Sequence, residues 1–186
     1  MSIYEVSDQM IIRFLGSANN ELKNAVLKLI INEKKLSYLK PIIELLDNNL
    51  VASNAKAVLL KYDQQIIIKN LLKYLKRGEI RNDLKVAIIH FSKNYPNKQI
   101  LDMLIAYVSN SNLMIINASC NALIEISKIN PLEKSKLKLI EKNIKVLSQR
   151  AFQLHLFNDA LNSDMKALLI IDQIDAELKT IRHIIL

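Results

Sequence analysis

Apolar residues recur along the chain at a spacing that is typical of one face of an α-helix. The clearest copy consists of Ile80, Leu84, Ala87 and Ile88, at offsets of 0, 4, 7 and 8 residues. Side chains at these offsets lie on the same side of a helix. The pattern therefore predicts a helix over this segment, with Ala87 as a small residue in the core.

The same pattern returns at intervals of 29, 29, 35 and 32 residues, at starting positions 22, 51, 80, 115 and 147. The other copies are Leu22, Val26, Leu29 and Ile30; Val51, Ala55, Val58 and Leu59; Ile115, Ser119, Ala122 and Leu123; and the weaker set Leu147, Ala151 and Leu154. A repeat of this length is typical of stacked helix pairs, because one pair cannot bury its own apolar face.

Each of these helices is followed by a second amphipathic stretch. These stretches cover about residues 37–48, 65–77, 97–109, 131–149 and 165–182. A further helix is predicted from about Ile3, with Ser2 and Glu5 as a capping box, and Gly16 is predicted to end it. We therefore expect about eleven helices. The chain has only 2 glycines and 3 prolines, too few for the many turns of a sheet protein of this size.

The repeated helices resemble HEAT-type repeats, whose first helix carries an apolar-Arg-x-x-Ala-x-x-Ala-Leu signature. Ile80-Arg81 with Leu84, Ala87 and Ile88 is the best match, whereas Ala52 and Ile116 stand at the arginine position of two other copies. The short period is similar to that of compact HEAT-like units of the phycobilin-lyase type.

The resemblance covers about residues 20–160. It implies an all-α fold, a right-handed α-α superhelix (a HEAT/armadillo-type solenoid) of about five helix pairs plus an N-terminal helix. It also implies a single HEAT-like repeat domain over residues 1–186, with repeats that start near 20, 49, 79, 113 and 146.

The composition indicates the cellular compartment of the protein. The single cysteine, Cys120, cannot form an internal disulfide, and the N-terminus lacks the basic region of a signal peptide. Residues 103–124 carry no charge, but their serines and asparagines are too polar for a membrane span. We therefore expect a cytoplasmic protein that does not contact membranes.

The net charge of +8 comes from 26 basic and 18 acidic residues, and only five of the basic residues are arginines. The excess of lysine, asparagine and isoleucine is typical of A/T-rich codon usage. Proteins that recognise nucleic acids favour the planar guanidinium fork of arginine. The net charge is therefore weak support for a nucleic-acid partner.

Candidate catalytic and metal-binding residues are few. Cys120 has no nearby histidine in sequence to act as a base, and His90, His155 and His183 lack metal-ligand spacing. Asp172 and Asp175 are interpreted as a solvated acidic face. We expect no catalytic residues, no metal site and no cofactor.

Two lysine stripes are the candidate binding residues. The first consists of Lys69, Lys73, Lys76 and Arg77, and the second consists of Lys134, Lys138, Lys142 and Lys145. Each set shares a helix face, and the resemblance implies that second helices line the concave surface of the solenoid. A basic concave surface would suit an acidic protein segment or a nucleic-acid backbone. Alternatively, the stripes are solvated faces that reflect the codon usage.

These observations favour a non-enzymatic scaffold or adaptor that docks another protein, with an acidic segment, along its concave face. Two alternatives stay open. One is a nucleic-acid-binding protein similar to HEAT-like glycosylases that act on alkylated DNA bases, although those use tryptophan and this chain has none. The other is a lyase or chaperone-like subunit that acts on a protein partner, as the short-period resemblance implies.

Overall fold

The computed structural model describes residues 7–76 and 80–129 and the single positions 136, 138, 140, 142 and 145. Over these residues the fold is all-α, as predicted, and it contains no strand. The helices are α1 (Asp8–Leu15), α2 (Asn20–Leu29), α3 (Leu39–Ile43, preceded by a 3₁₀ turn at Leu36–Tyr38), α4 (Ala52–Leu59), α5 (Gln64–Leu75), α6 (Asn82–Ser92), α7 (Lys98–Tyr107) and α8 (Leu113–Ile129).

Polar side chains cap the start of several helices. The Asn19 side chain accepts hydrogen bonds from two backbone N–H groups of α2, and Asp63 does the same for α5. Asn97 caps α7 through the N–H of Ile100. Such caps satisfy N–H groups that have no partner within the helix.

The first helix begins later than the sequence predicts. It starts at Asp8 because the Ser7 side chain accepts from the N–H of Met10 and caps it. Ser2 and Glu5, the predicted capping box, lie outside the described residues. The helix ends at Leu15, as predicted from Gly16, although Gly16 has an ordinary negative φ of −84°.

The repeated apolar positions form the core in two of the four copies that fall within the described residues. Val51, Ala55, Val58 and Leu59 are each at most 1% exposed. The copy that starts at Ile115 is buried at all of its four positions. In these two copies the offsets predicted from the sequence are the core positions of the helix.

Four predicted core positions are not fully buried: Leu22 and Ile80 at offset 0 are half-buried, and the two at offset 7, Leu29 and Ala87, are also outside the core. Leu29 is 60% exposed because it is the last residue of α2, and the core there is filled by Leu27 and Ile30, which are both fully buried. Ala87 is only half-buried because its side of α6 faces a cleft. The position at offset 7 therefore lies in the core of some repeats and at a surface in others.

Long-range side-chain hydrogen bonds in the first half of the chain join residues about one repeat apart. In the described residues, these bonds join residues that are 26 to 34 positions apart. Asn54 donates to the side chain of Asn24 at 2.8 Å, which links α4 to α2, and Asn48 donates to Asn20 at 2.9 Å. Helices one repeat apart are thus neighbours, as a repeating arrangement requires.

Three tyrosines make hydrogen bonds of the same span. The Tyr38 hydroxyl donates to Asp8 at 2.6 Å, the Tyr62 hydroxyl donates to the Lys35 carbonyl at 2.9 Å, and the Tyr74 hydroxyl contacts Glu44 at 3.1 Å. Burial raises the pKa of Tyr38 and of Tyr62 to about 12, and nearby acidic groups add to both shifts. These phenols are therefore held in the neutral form that their hydrogen bonds need.

The chain divides into two compact units, Met1–Tyr95 and Pro96–Leu186. Within the first unit α2 and α3 both pack against α4, and α5 packs against α6. Within the second unit α7 packs against α8. First helices of the proposed pairs begin at Asn20, Ala52, Asn82 and Leu113, so their starts lie 32, 30 and 31 residues apart. The single superhelical domain over residues 1–186 stays a prediction.

Two alanines of the first unit provide a matched test of these burial assignments. We expect Ala55→Asp to lower the free energy of unfolding by about 3–5 kcal/mol, because it places an unpaired charge in the core. Ala87→Asp should cost about 1 kcal/mol or less, since its carboxylate can reach solvent. Urea unfolding followed by circular dichroism measures both. Equal losses would contradict the placement of Ala87 beside the cleft.

The tyrosine hydrogen bonds predict a dependence of stability on alkaline pH. The pKa of Tyr38 and Tyr62 is raised from 10.0 to about 12 on folding, so the unfolded chain loses its phenolic protons first. Their contribution is complete below pH 10 and is lost as the pH rises toward 12. Tyr38→Phe and Tyr62→Phe should each reduce the loss of helix across that range. Ionisation of both phenols near pH 10 with no loss of helix would contradict this expectation.

Candidate functional site

The first predicted lysine stripe lies along an exposed face of α5. Lys69, Lys73 and Lys76 are all exposed, and none of them forms an ion pair within the described part of the chain. The opposite face of the helix is buried through Ile67, Ile68, Leu71, Tyr74 and Leu75. Arg77, the fourth predicted residue, lies outside the described residues. We refer to Lys69, Lys73 and Lys76 as the α5 lysine row.

The second predicted stripe is described in part. Lys138, Lys142 and Lys145 are helical and exposed, and Lys134 lies outside the described residues. Lys136, which the prediction did not include, is the more buried lysine of this segment. Its ammonium lies 3.9 Å from a carboxylate oxygen of Asp102, and its side chain is 17% exposed.

A cleft of about 770 Å³ opens on a different side of the first unit, which sequence analysis did not predict. Its walls come from α2, α4 and α6 and from the turn between α3 and α4. The lining residues are Lys23, Glu44, Leu45, Leu46, Asp47, Asn48, Asn49, Ala52, Lys56, Arg81, Asp83, Val86, Ala87 and His90. None of the α5 lysine row belongs to this lining.

An ion pair joins two walls of the cleft. The Arg81 guanidinium donates to Asp47 at 2.8 Å, and the Asp47 side chain is only 8% exposed. Arg81 precedes α6, whereas Asp47 lies in the turn between α3 and α4. The arginine on which the HEAT resemblance depends therefore ties one repeat to the turn of the previous repeat.

His90 lines the cleft together with Lys56. Burial lowers the pKa of His90, and the charges of Lys93 and Lys56 lower it further. Both lysines are exposed, and neither has an ion-pair partner among the described residues. We refer to Lys56, His90 and Lys93 as the His90 cluster; its two lysines are charged at pH 7, whereas the lowered pKa favours the neutral form of His90.

Sequence reasoning missed the His90 cluster because it considered each helix by itself. Lys56 lies on α4 and His90 on α6, 34 residues further along the chain, which is close to one repeat. Polar residues about one repeat apart face each other elsewhere in this unit, as Asn24 and Asn54 do. Applying the repeat period to polar as well as apolar positions would have paired Lys56 with His90.

Other candidate residues do not assemble into a site within the described residues. Cys120 is a buried thiol on α8, beside the fully buried Ser119. No group of three or more histidine, cysteine or acidic side chains suited to a metal ion occurs in the part of the chain that the structure describes. His155, His183, Asp172 and Asp175 lie outside that part.

A membrane crossing needs a helix that is both long and apolar, and none of the helices within residues 7–76 and 80–129 meets both conditions. Comparisons of the chain with protein-family models, with curated proteins and with solved structures find no match. The resemblance to HEAT-type repeats therefore depends on the sequence pattern alone and stays a prediction.

The His90 cluster predicts a measurable pKa. In the intact protein we expect the imidazole of His90 to titrate below 6.5, because burial and two ammonium groups disfavour its protonated form. Lys56→Gln removes one of these charges and should raise the pKa. NMR titration of the three histidines, with His90→Gln to assign the signal, measures both values. A His90 pKa that is the same in the protein and its Lys56→Gln variant would contradict the proposed proximity.

Proposed function

We propose that the protein is a non-enzymatic scaffold of HEAT-like helix pairs, and that it docks an acidic segment of a protein partner along the α5 lysine row. The observation that carries the proposal is the row itself. Lys69, Lys73 and Lys76 occupy one exposed face without ion-pair partners among the described residues. Such a face offers three ammonium groups in a fixed order to an acidic partner.

The hydrogen bonds between repeats support the scaffold part of the proposal. They join residues 26 to 34 positions apart, from Asn24 with Leu50 (26) to Asp47 with Arg81 (34). In repeat proteins each unit contacts its neighbours and together they present an extended surface for recognition. A helix held on both sides by neighbouring repeats would hold its exposed side chains at constant spacing.

The size of the row favours an acidic peptide over a duplex. Lys69 and Lys76 are two helical turns apart, so their Cα atoms are separated by about 10.5 Å along the helix. Three lysines neutralise three phosphates at most, whereas the strong salt dependence of duplex binding comes from about 6–10 phosphate contacts. A short acidic segment needs only a few carboxylates to match the row.

The proposal predicts the behaviour of a charge-reversal variant. We expect a helical peptide with glutamates at offsets 0, 4 and 7 to bind the full chain, and Lys69→Glu, Lys73→Glu and Lys76→Glu together to abolish binding. The wild-type affinity for a generic duplex should be weak, with a Kd of about 10⁻⁴ to 10⁻⁶ M at physiological salt. Fluorescence anisotropy with both ligands over a range of salt concentrations measures these affinities.

A matched control separates the position of the charges from their number. Lys28, Lys34 and Lys61 are exposed lysines of the same unit that have no ion-pair partner among the described residues. Their combined replacement by glutamate changes the net charge equally and should leave peptide binding nearly intact. Equal loss in both triple variants would contradict a docking face on α5. Sub-micromolar duplex binding that only the α5 variant loses would instead favour the nucleic-acid function.

A further inference from the structure

The α5 lysine row has no anionic partner within the described residues. Lys69, Lys73 and Lys76 are exposed, and no carboxylate of the described residues forms an ion pair with any of them. Like charges three or four residues apart on a helix repel each other. A set of carboxylates that faces the row would offset this repulsion.

Contacts at both ends of α5 hold the row in place. At the start of the helix, the Asp63 side chain accepts hydrogen bonds from the N–H groups of Gln65 and Ile66 at 2.9 and 3.2 Å. Near its end, the Tyr74 hydroxyl lies 3.1 Å from a carboxylate oxygen of Glu44, one repeat earlier. Helix α5 also packs against α6. Because the backbone of the row is already ordered, little further freedom is lost when a partner binds.

The chain itself contains an acidic segment whose charge is opposite to that of the row. Residues 159–177 contain five acidic residues and one basic residue, a net charge of −4, whereas the whole chain carries +8. The remaining residues therefore carry +12. With Lys179, the next charged residue, the net charge of the segment is still −3. The acidic residues are Asp159, Asp164, Asp172, Asp175 and Glu177, and the basic residue is Lys166. This segment lies outside the described residues, and its charge is known from the sequence.

The spacing of two of these acids matches the spacing of two lysines of the row. Asp172 and Asp175 are three residues apart within the stretch 165–182, for which the sequence predicts a helix. Lys73 and Lys76 are also three residues apart, at the end of α5. Residues three apart on a helix lie on the same face. Two such helices that face each other would therefore pair both carboxylates with both ammonium groups.

We propose that the acidic segment of one copy of the protein binds the α5 lysine row of a second copy. This contact depends on the proposed docking function and makes the chain its own acidic partner. A symmetric contact between two lysine rows would place like charges against each other, so the contact must join two different surfaces. Each pair of bound copies keeps one free row and one free segment, and association therefore continues head to tail.

Sedimentation velocity of the full chain tests the contact. We expect association that grows with protein concentration at low salt and is lost at high salt, since exposed ion pairs are weak and are screened by salt. Lys69→Gln, Lys73→Gln and Lys76→Gln together should abolish association, because they remove all the charges of the row. Asp172→Asn with Asp175→Asn should weaken it by about tenfold, because two ion pairs are lost.

A mixture of these two variants distinguishes a head-to-tail contact from non-specific attraction. The row is intact in the Asp172→Asn, Asp175→Asn variant, and the acidic segment is intact in the variant of the three lysines. One contact can therefore form between the two variants, and no further copy can add to it. We expect dimers, and no larger species, at concentrations where each variant alone is monomeric. A mixture that stays monomeric would overturn the proposal.

Matched variants control for the number of charges removed. Lys28→Gln, Lys34→Gln and Lys61→Gln remove three exposed lysines of the first unit. Glu21→Gln and Asp83→Asn remove two exposed acidic residues. None of these five residues has an ion-pair partner among the described residues, and both control variants should associate as the wild type does. A wild type that is monomeric at low salt, or equal losses in the test and control variants, would overturn the proposal. Unchanged far-UV circular dichroism shows that the variants are folded.

The designed glutamate peptide separates this proposal from the docking function. If the peptide binds the α5 lysine row while the wild-type chain stays monomeric, the docking function stands and self-association is overturned. If the chain associates through the row while the peptide does not bind, self-association stands and docking of a separate partner is overturned.

Discussion

Burial of the apolar faces of neighbouring helices against each other is the interaction on which this structure depends. Ala55 and Leu59 of α4 are fully buried, and α4 packs against both α2 and α3. A fully buried leucine or isoleucine stabilises a fold by about 1.5–3 kcal/mol, whereas a typical hydrogen bond contributes about 1 kcal/mol. Apolar burial therefore supplies most of the stability. The hydrogen bonds of Tyr38, Tyr62 and Asn54 fix which residues face each other.

Repeated packing of this kind leaves two sorts of surface, and each carries a candidate site. One face of a helix remains outside the core, as for Lys69, Lys73 and Lys76 on α5. Where neighbouring first helices and a turn do not fill the space between them, a cleft remains, as beside Ala87. The docking face and the cleft therefore arise from the same arrangement but contain different residues.

The helices could be predicted from the sequence because their signals are local and repeated. The offsets of 0, 4, 7 and 8 identify the buried face of α4 and α8, and they are wrong at Leu29, where the end of α2 exposes the side chain. The exposed lysines of α5 follow from the same periodicity. The cleft could not be predicted in this way, because its lining comes from helices that are distant in sequence and from the width of the gap between them.

Lysine abundance is the main alternative explanation for any basic surface of this protein. A codon preference for lysine accounts for exposed lysines such as Lys28 and Lys61, because a lysine at a solvated position takes the place of another solvated side chain. The same preference accounts for Lys56 and Lys93, which are also exposed. Burial, and then the charges of Lys93 and Lys56, lower the pKa of His90. The feature that distinguishes a basic surface from scattered lysines is therefore the order of its charges, as on α5, where Lys69, Lys73 and Lys76 share one exposed face.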